Sequence, residues 1–294
     1  MFDPPMILTP TLLARLPAGL RIARRSAWAD ANRGGAPIDS FLEGPCFDSA
    51  GNLFCTDIPH GRIFRVAGAT WEVIAAYEGW PNGLAARGAE LLVADYRHGL
   101  LTLDPGTGAM APLLETALTE GFKGLNDLTL ARDGAILFTD QGQTGLQDPT
   151  GRVFRLHPDG RLDRLLANGP SPNGLALNRA GTHLMVAMTR ANEVWRFALR
   201  PDALVGKANL FFRTPAGTSG PDGMAVDAAD RLFIANPGHG QVWVVDAHGI
   251  CTHRIDCRAF GRMPTNCAFA PDGRTLVITE SDSGSLLAAD IPPA

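Results

Sequence analysis

Asn126-Asp-Leu-Thr-Leu-Ala-Arg-Asp-Gly-Ala-Ile-Leu-Phe-Thr-Asp140 is two short apolar runs folded about an Asp-Gly turn, and the chain repeats the theme from end to end. Gly44-Pro-Cys-Phe-Asp-Ser-Ala-Gly-Asn-Leu-Phe-Cys-Thr-Asp57 has the same form, as does Asn266-Cys-Ala-Phe-Ala-Pro-Asp-Gly-Arg-Thr-Leu-Val-Ile-Thr279. Looser copies pair Asn82-Gly-Leu-Ala85 with Glu90–Asp95, Asn173-Gly-Leu-Ala-Leu177 with Gly181–Ala187, and Asp222–Asp227 with Arg231–Ala235. Further β-rich pairs follow, such as Arg62–Val66 and Trp71–Ala75, so each unit holds four strands separated by Gly-centred turns. The units open on Glu43, Asn82, Asn126, Asn173, Asp222 and Asn266, at spacings of 39, 44, 47, 49 and 44 residues. Repeats of this size and content are propeller blades. Six of them predict an all-β, six-bladed β-propeller, with residues 1–294 as a single domain.

Closure follows from what is left over. Only 28 residues come after Asn266, enough for three strands: Cys267–Phe269, Thr275–Thr279 and Ser285–Asp290. An open ring would expose unpaired edges, so the N-terminal segment 1–42 is expected to supply the missing outer strand, with Leu20–Arg24 as the candidate.

Composition excludes several classes. With 30 acidic and 26 basic residues the net charge is −4, which favours neither nucleic acid nor an anionic membrane as a partner. An apolar content of 45% supports a full core rather than disorder, and no apolar run is long enough to span a bilayer. The stretch Met1–Ala23, with Pro4, Pro5 and Pro10 and no basic region ahead of its apolar run, does not read as a signal peptide. Cys46, Cys55, Cys251, Cys257 and Cys267 show no CxxC spacing and read as free thiols, so a cytoplasmic location is expected. A nucleophile elbow, an HExxH helix, a dinucleotide loop and a phosphate-binding loop are all missing, which argues against serine hydrolases, kinases and dehydrogenases.

The chemistry is therefore sought in the six leading residues, which open the innermost strands and so meet at one mouth of the central channel. Two carboxylates and four amides on one axis would be left unsatisfied or repulsive without water or a cation between them. Oxygen donors without Cys or His suit a hard divalent ion such as Ca²⁺, Mg²⁺ or Mn²⁺. The turns after each second strand open on the same face. They carry Asp57-Ile-Pro-His60, Asp95-Tyr-Arg-His98 and Asn236-Pro-Gly-His239, with Gln141 at the matching exit of the third unit, and these are expected to rim the pocket.

Glu43-Gly-Pro, Leu125-Asn126-Asp127, Pro172-Asn173-Gly174 and Gly220-Pro-Asp222-Gly, together with Phe138-Thr-Asp-Gln141 and Asp148–Arg155, resemble the motifs of the gluconolactonase / senescence marker protein / luciferin-regenerating enzyme family. Drug-responsive bacterial lactonases belong among its relatives, and the likeness runs over roughly residues 40–290. It implies a metal held by Glu43, Asn126, Asn173 and Asp222, with Asn82 and Asn266 as outer or substrate-side groups. Calcium is the first expectation, with Mn²⁺, Fe²⁺, Zn²⁺ and Mg²⁺ as alternatives. An Arg frequent in the family two positions before Asn126 is Gly124 here, which leaves the substrate open to a smaller or less polar lactone than a sugar lactone.

The function expected is metal-dependent hydrolysis of a small-molecule lactone, with Asp222 as both ligand and general base and Asn82, His60, His98, Gln141, His239 and Asn266 as substrate-binding groups. Asp127 is expected to point away from the axis by strand alternation. Phosphotriester hydrolysis on the same metal and a non-catalytic interaction platform are the competing readings; oligomeric state is open.

Overall fold

In the computed structural model, which describes residues 4–200, 205–217 and 219–294, the four strands of each unit form an antiparallel meander, and the inner strands stand side by side around one axis. Blade 1 is Leu42–Phe47, Leu53–Asp57, Arg62–Ala67 and Thr70–Ala76. Blades 2 to 6 begin with the inner strands Pro81–Arg87, Leu125–Leu130, Pro172–Leu177, Met224–Val226 and Pro264–Phe269. The first inner strand packs against the second and the last, so the ring is closed. The protein is a six-bladed β-propeller.

Blade 6 is completed from the N-terminus, but not by the segment expected. Thr11–Arg15 pairs antiparallel with Ser285–Asp290, Thr11 opposite Ala288 and Arg15 opposite Ser285. Leu20–Arg24 instead closes a 3₁₀ turn (Ala18–Leu20) and runs on to a lone bridge between Arg24 and Ile38. The physical reason is packing: the Thr11–Arg15 strand and its flank set Ala14 and Leu16 into the apolar layer between blades 6 and 1, whereas Ile22 is 66% exposed. A second strand, Met6–Leu8, runs parallel to the outer strand Cys251–Asp256 and gives blade 5 a fifth member. The N-terminal segment thus ties blades 5 and 6 together before crossing to a short helix, Ala27–Asn32, capped by Ser26 Oγ.

The core is six apolar layers, one between each pair of neighbouring blades. Each is filled by alternate residues of the inner and middle strands, as Leu92, Leu125, Phe138 and Phe154 fill the layer between blades 2 and 3. All five cysteines are free.

Polar staples inside this apolar ring fix the site. Thr56 Oγ1 donates to the Asn82 carbonyl (2.9 Å), Thr139 Oγ1 to that of Asn173 (2.8 Å) and Thr265 Oγ1 to that of Leu42 (2.7 Å). Each hydroxyl reaches one blade onward and pins the start of the next inner strand, where the leading residue sits. At the second-strand ends the fully buried Asp57, Asp95 and Asp140 hold the mouth loops through Arg62, through Tyr77 and the His98 N–H, and through Arg152 and the Gly124 N–H. These acids are structural.

Candidate active site

A cavity of about 360 Å³ opens at the mouth of the propeller, with Glu43, Asn82, Asn126, Asn173 and Asp222 at its base. The sequence pattern therefore brings five of the six leading residues to one floor. The sixth, Asn266, lies just below: it lines the lower channel, a space of about 460 Å³ bordered by all six inner strands, and not the mouth. Its Nδ2 donates up to Glu43 Oε2 (3.0 Å) and to Asp127 Oδ2 (3.3 Å). That geometry makes Asn266 a support for Glu43 and removes it from the substrate side.

Asp127 corrects the expectation from strand alternation. Pairing between the first two strands of blade 3 shifts register between Leu125 and Leu128, so Asn126 and Asp127 both turn inward, one to the mouth and one to the channel. Room for Asp127 comes from the neighbouring blade. A Cβ on Gly83 would stand 2.2 Å from Asp127 Oδ1. The same logic governs Gly223, whose missing side chain makes space for Asn266 (a Cβ there would lie 1.9 Å from its Cγ).

Three buried carboxylates consequently share the axis. Burial pushes Glu43 up to about 8, the Gly44 N–H and Asn266 only partly offsetting it and the charge of Asp127 adding to it. Asp127 is pushed up to about 7, again by burial. Asp222 is raised well above the usual carboxylate range by burial and then by the charges of Glu43 and Asp127, while Asn173 and the Arg190 guanidinium favour its ionised form. Among the described residues no buried basic side chain pairs with the group.

The amides complete the donor set. Asn126 Nδ2 donates to Gln141 Oε1 (3.0 Å) and Gln141 Nε2 to Ser171 Oγ (3.0 Å), which orients the Asn126 oxygen away from that chain of bonds. Asn82 Oδ1 is buried with no partner among the described residues. Clusters of three or more His, Cys, Asp or Glu in metal-holding arrangement do not occur among the described residues; the floor mixes carboxylate with amide oxygen. An orphaned amide oxygen beside uncompensated carboxylates fits a hard divalent cation.

Gln141 lines the cavity as expected, but the three histidines do not. His60 Nδ1 accepts from Arg24 Nε (2.6 Å), and burial lowers its pKa. His98 Nε2 bonds the Glu78 carbonyl (2.8 Å), and His239 lies beside Gly217. The mouth loops do open on the site face, yet they present the residue immediately after the strand-end acid or amide: Ile58, Tyr96, Gln141 and Pro237. The histidines, two residues further on, do not reach it, although Gln143 at the same offset in blade 3 does.

Other lining residues escaped the sequence reading. Trp28, Asn32 and Arg33, from the N-terminal helix and its end, wall the cavity together with Phe41, and Thr189 and Arg190 enter from blade 4. Trp28 packs on Phe41 (centroids 4.8 Å apart) and Tyr96 on Trp80 (5.0 Å). The signal for Tyr96 is Gly124: with φ +145°, its Cβ would meet the Tyr96 ring at 2.4 Å, so the ring takes the space a longer side chain would need.

Fold and site together define a six-bladed propeller with an axial cavity of small-molecule size. The chain belongs to the SMP-30/gluconolactonase/LRE-like family, whose profile matches residues 41–282. It is 34% identical over 200 residues to a gluconolactonase of Zymomonas mobilis, spanning 63% of this chain but only 55% of that protein. It is 29% identical over 269 residues to lactonase drp35 of Staphylococcus aureus, spanning 84% of this chain and 81% of that one. A gluconolactonase from Xanthomonas campestris superposes with a TM-score of 0.76 at 26% identity, over 95% of this chain and 97% of the other. Regucalcin from Agrobacterium tumefaciens, a calcium-binding protein, shares the fold at a TM-score of 0.76 and 22% identity, over 99% of this chain and 96% of the other.

Proposed function

We propose that the protein is a divalent-cation-dependent hydrolase that opens a lactone ring. The observation that carries this reading is the floor itself: Glu43 and Asp222 with the amides of Asn126 and Asn173, drawn from four blades to the base of one cavity. Lactonase relatives on the same fold support it. Glu43, Asn126, Asn173 and Asp222 would hold the ion, calcium by the hardness of its donors. When bound, the cation supplies Lewis-acid polarisation of the ester carbonyl.

The protein's own groups do the rest. Asp222 accepts the proton of the attacking water and passes it to the ring oxygen as the acyl C–O bond breaks. Burial and then the Glu43 and Asp127 charges raise its proton affinity, and Asn173 and Arg190 oppose them in favour of the ionised form. Asn266, fixed by Asp127, keeps one Glu43 oxygen occupied and so sets the direction of the other. Asn82 and Gln141 face the substrate from the floor and wall, and Trp28, Phe41 and Tyr96 offer apolar faces that shed water around the ring. The histidines have no part in this scheme.

The test is a pH-stat assay of chelator-treated protein against lactones of graded size, with a phosphotriester alongside. Acid release from lactones that vanishes on chelation and returns with Ca²⁺ or Mn²⁺ is expected. Hydrolysis of the phosphotriester alone, or lactone opening that ignores chelation, would overturn the assignment.

A further inference from the structure

Two guanidinium groups edge the cavity without a direct ion pair among the described residues, although Arg190 lies within electrostatic range of Asp222. Arg33 follows the helix Ala27–Asn32 and lies over the Phe41 ring at 5.2 Å. Arg190 sits in the 3₁₀ turn Thr189–Ala191, its stem packed along Gly145. Elsewhere in the molecule Arg21, Arg62, Arg152 and Arg231 each face an aspartate. Neither Arg33 nor Arg190 pairs with a carboxylate among the described residues. Positive charge at the rim is therefore available to a ligand, and a planar guanidinium fork matches a carboxylate. The opposite requirement, polar recognition of ring hydroxyls from position 124, is closed off by the Tyr96 ring.

We infer that the substrate is a lactone bearing a carboxylate, received by Arg33 and Arg190 at the rim while its ring lies against Trp28, Phe41 and Tyr96. This rests on the lactone-hydrolase reading and narrows its substrate class. The carboxylate is also drawn in by the rim's field before contact, which raises the encounter rate at low salt.

Binding separates the inference from turnover. Calorimetry on the calcium-loaded, full-length protein compares tetrahydrofuran-2-carboxylate with its carboxamide, ring mimics that cannot be opened. The carboxylate should bind about tenfold tighter or more, the usual gain for a charge-assisted contact, and the preference should fall toward unity in the Arg33→Gln/Arg190→Gln double variant. Equal binding by the wild type, or a preference that survives the double variant, overturns the inference. In parallel, kcat/KM is compared for a γ-butyrolactone carboxylate and its amide. A binding preference with no lactone turnover sinks the hydrolase reading and leaves the anion site standing; turnover without preference does the reverse.

Discussion

Asp222 is where the proposed chemistry is most exposed to a single substitution. It carries one of the two carboxylates that line the mouth cavity among the described residues, and Asn173 and the Arg190 guanidinium favour its ionised form against burial and the Glu43 and Asp127 charges. On the proposed reading, Asp222→Asn keeps an oxygen for the cation and loses the base. At saturating metal its turnover should fall by at least about 10²-fold, the lower range for a positioned base. Glu43→Gln should act differently, weakening metal affinity while turnover at saturating metal is largely kept. If Asp222→Asn regains wild-type turnover once metal is raised, Asp222 is a ligand only. The residues of this floor were legible because each opens a repeat, and six oxygen-bearing side chains in one structural position are not a turn-forming accident. Asp127 was illegible for a local reason: a register shift turns two consecutive side chains inward, and strict alternation does not anticipate it. The histidines misled because a turn of three residues changes direction within itself, so sharing a loop with Tyr96 does not give His98 the same outlook.

At the scale of elements, the closing strand shows what counting can and cannot do. The shortage of one strand in blade 6 and its supply from the N-terminus followed from residue numbers alone. Which N-terminal stretch would serve did not, since Thr-Leu-Leu-Ala-Arg15 and Leu-Arg-Ile-Ala-Arg24 are similar mixtures of apolar and basic residues. The choice is made by tertiary packing, through Ala14 and Leu16, which a single segment's composition does not display. The same invisibility hid the helix Ala27–Asn32, which is six residues long and owes its place to Trp28 and Ala29 packing on Ile58. A pair of substitutions tests the closure. Leu16 is 2% exposed and fills the layer between blades 6 and 1, so Leu16→Ala should cost about 2–5 kcal/mol in denaturant unfolding. Leu13, on the same segment, is 42% exposed, and Leu13→Ala should cost about 0.5 kcal/mol or less. Equal effects would mean that the segment is an appendage rather than the ring's fastening.

Across the whole molecule, the three axial carboxylates come from alternate blades: Glu43 from the first, Asp127 from the third and Asp222 from the fifth. Six-fold geometry permits no wider separation of three like charges around one axis, yet burial still dominates their protonation. That has a consequence for stability. In the unfolded chain these carboxyls ionise near 4, whereas in the native state Asp127 holds its proton to about 7 and Glu43 to about 8. Between those limits the native state binds more protons than the unfolded one, so each rise in pH favours unfolding. The contribution is complete below about pH 4 and is lost as pH climbs through 7 and 8. Surface carboxylates with lowered pKa values, such as Asp48, Asp104 and Asp272, act in the opposite sense, but only in the acid range where they themselves titrate. His60, His183 and His253, whose pKa values burial lowers, also act in the opposite sense up to about pH 6.5, the unfolded imidazole value, so the axial group sets the slope from there to pH 8. A divalent cation on the floor requires the ionised forms, so its stabilisation must grow over the same interval. Melting temperatures recorded from about pH 6.5 to 8 should decline in the presence of chelator, stay nearly level with millimolar Ca²⁺, and differ most at pH 8. A calcium effect that is flat or shrinks as pH rises would place the ion away from Glu43 and Asp222, and the axial floor would lose its claim to be the metal site.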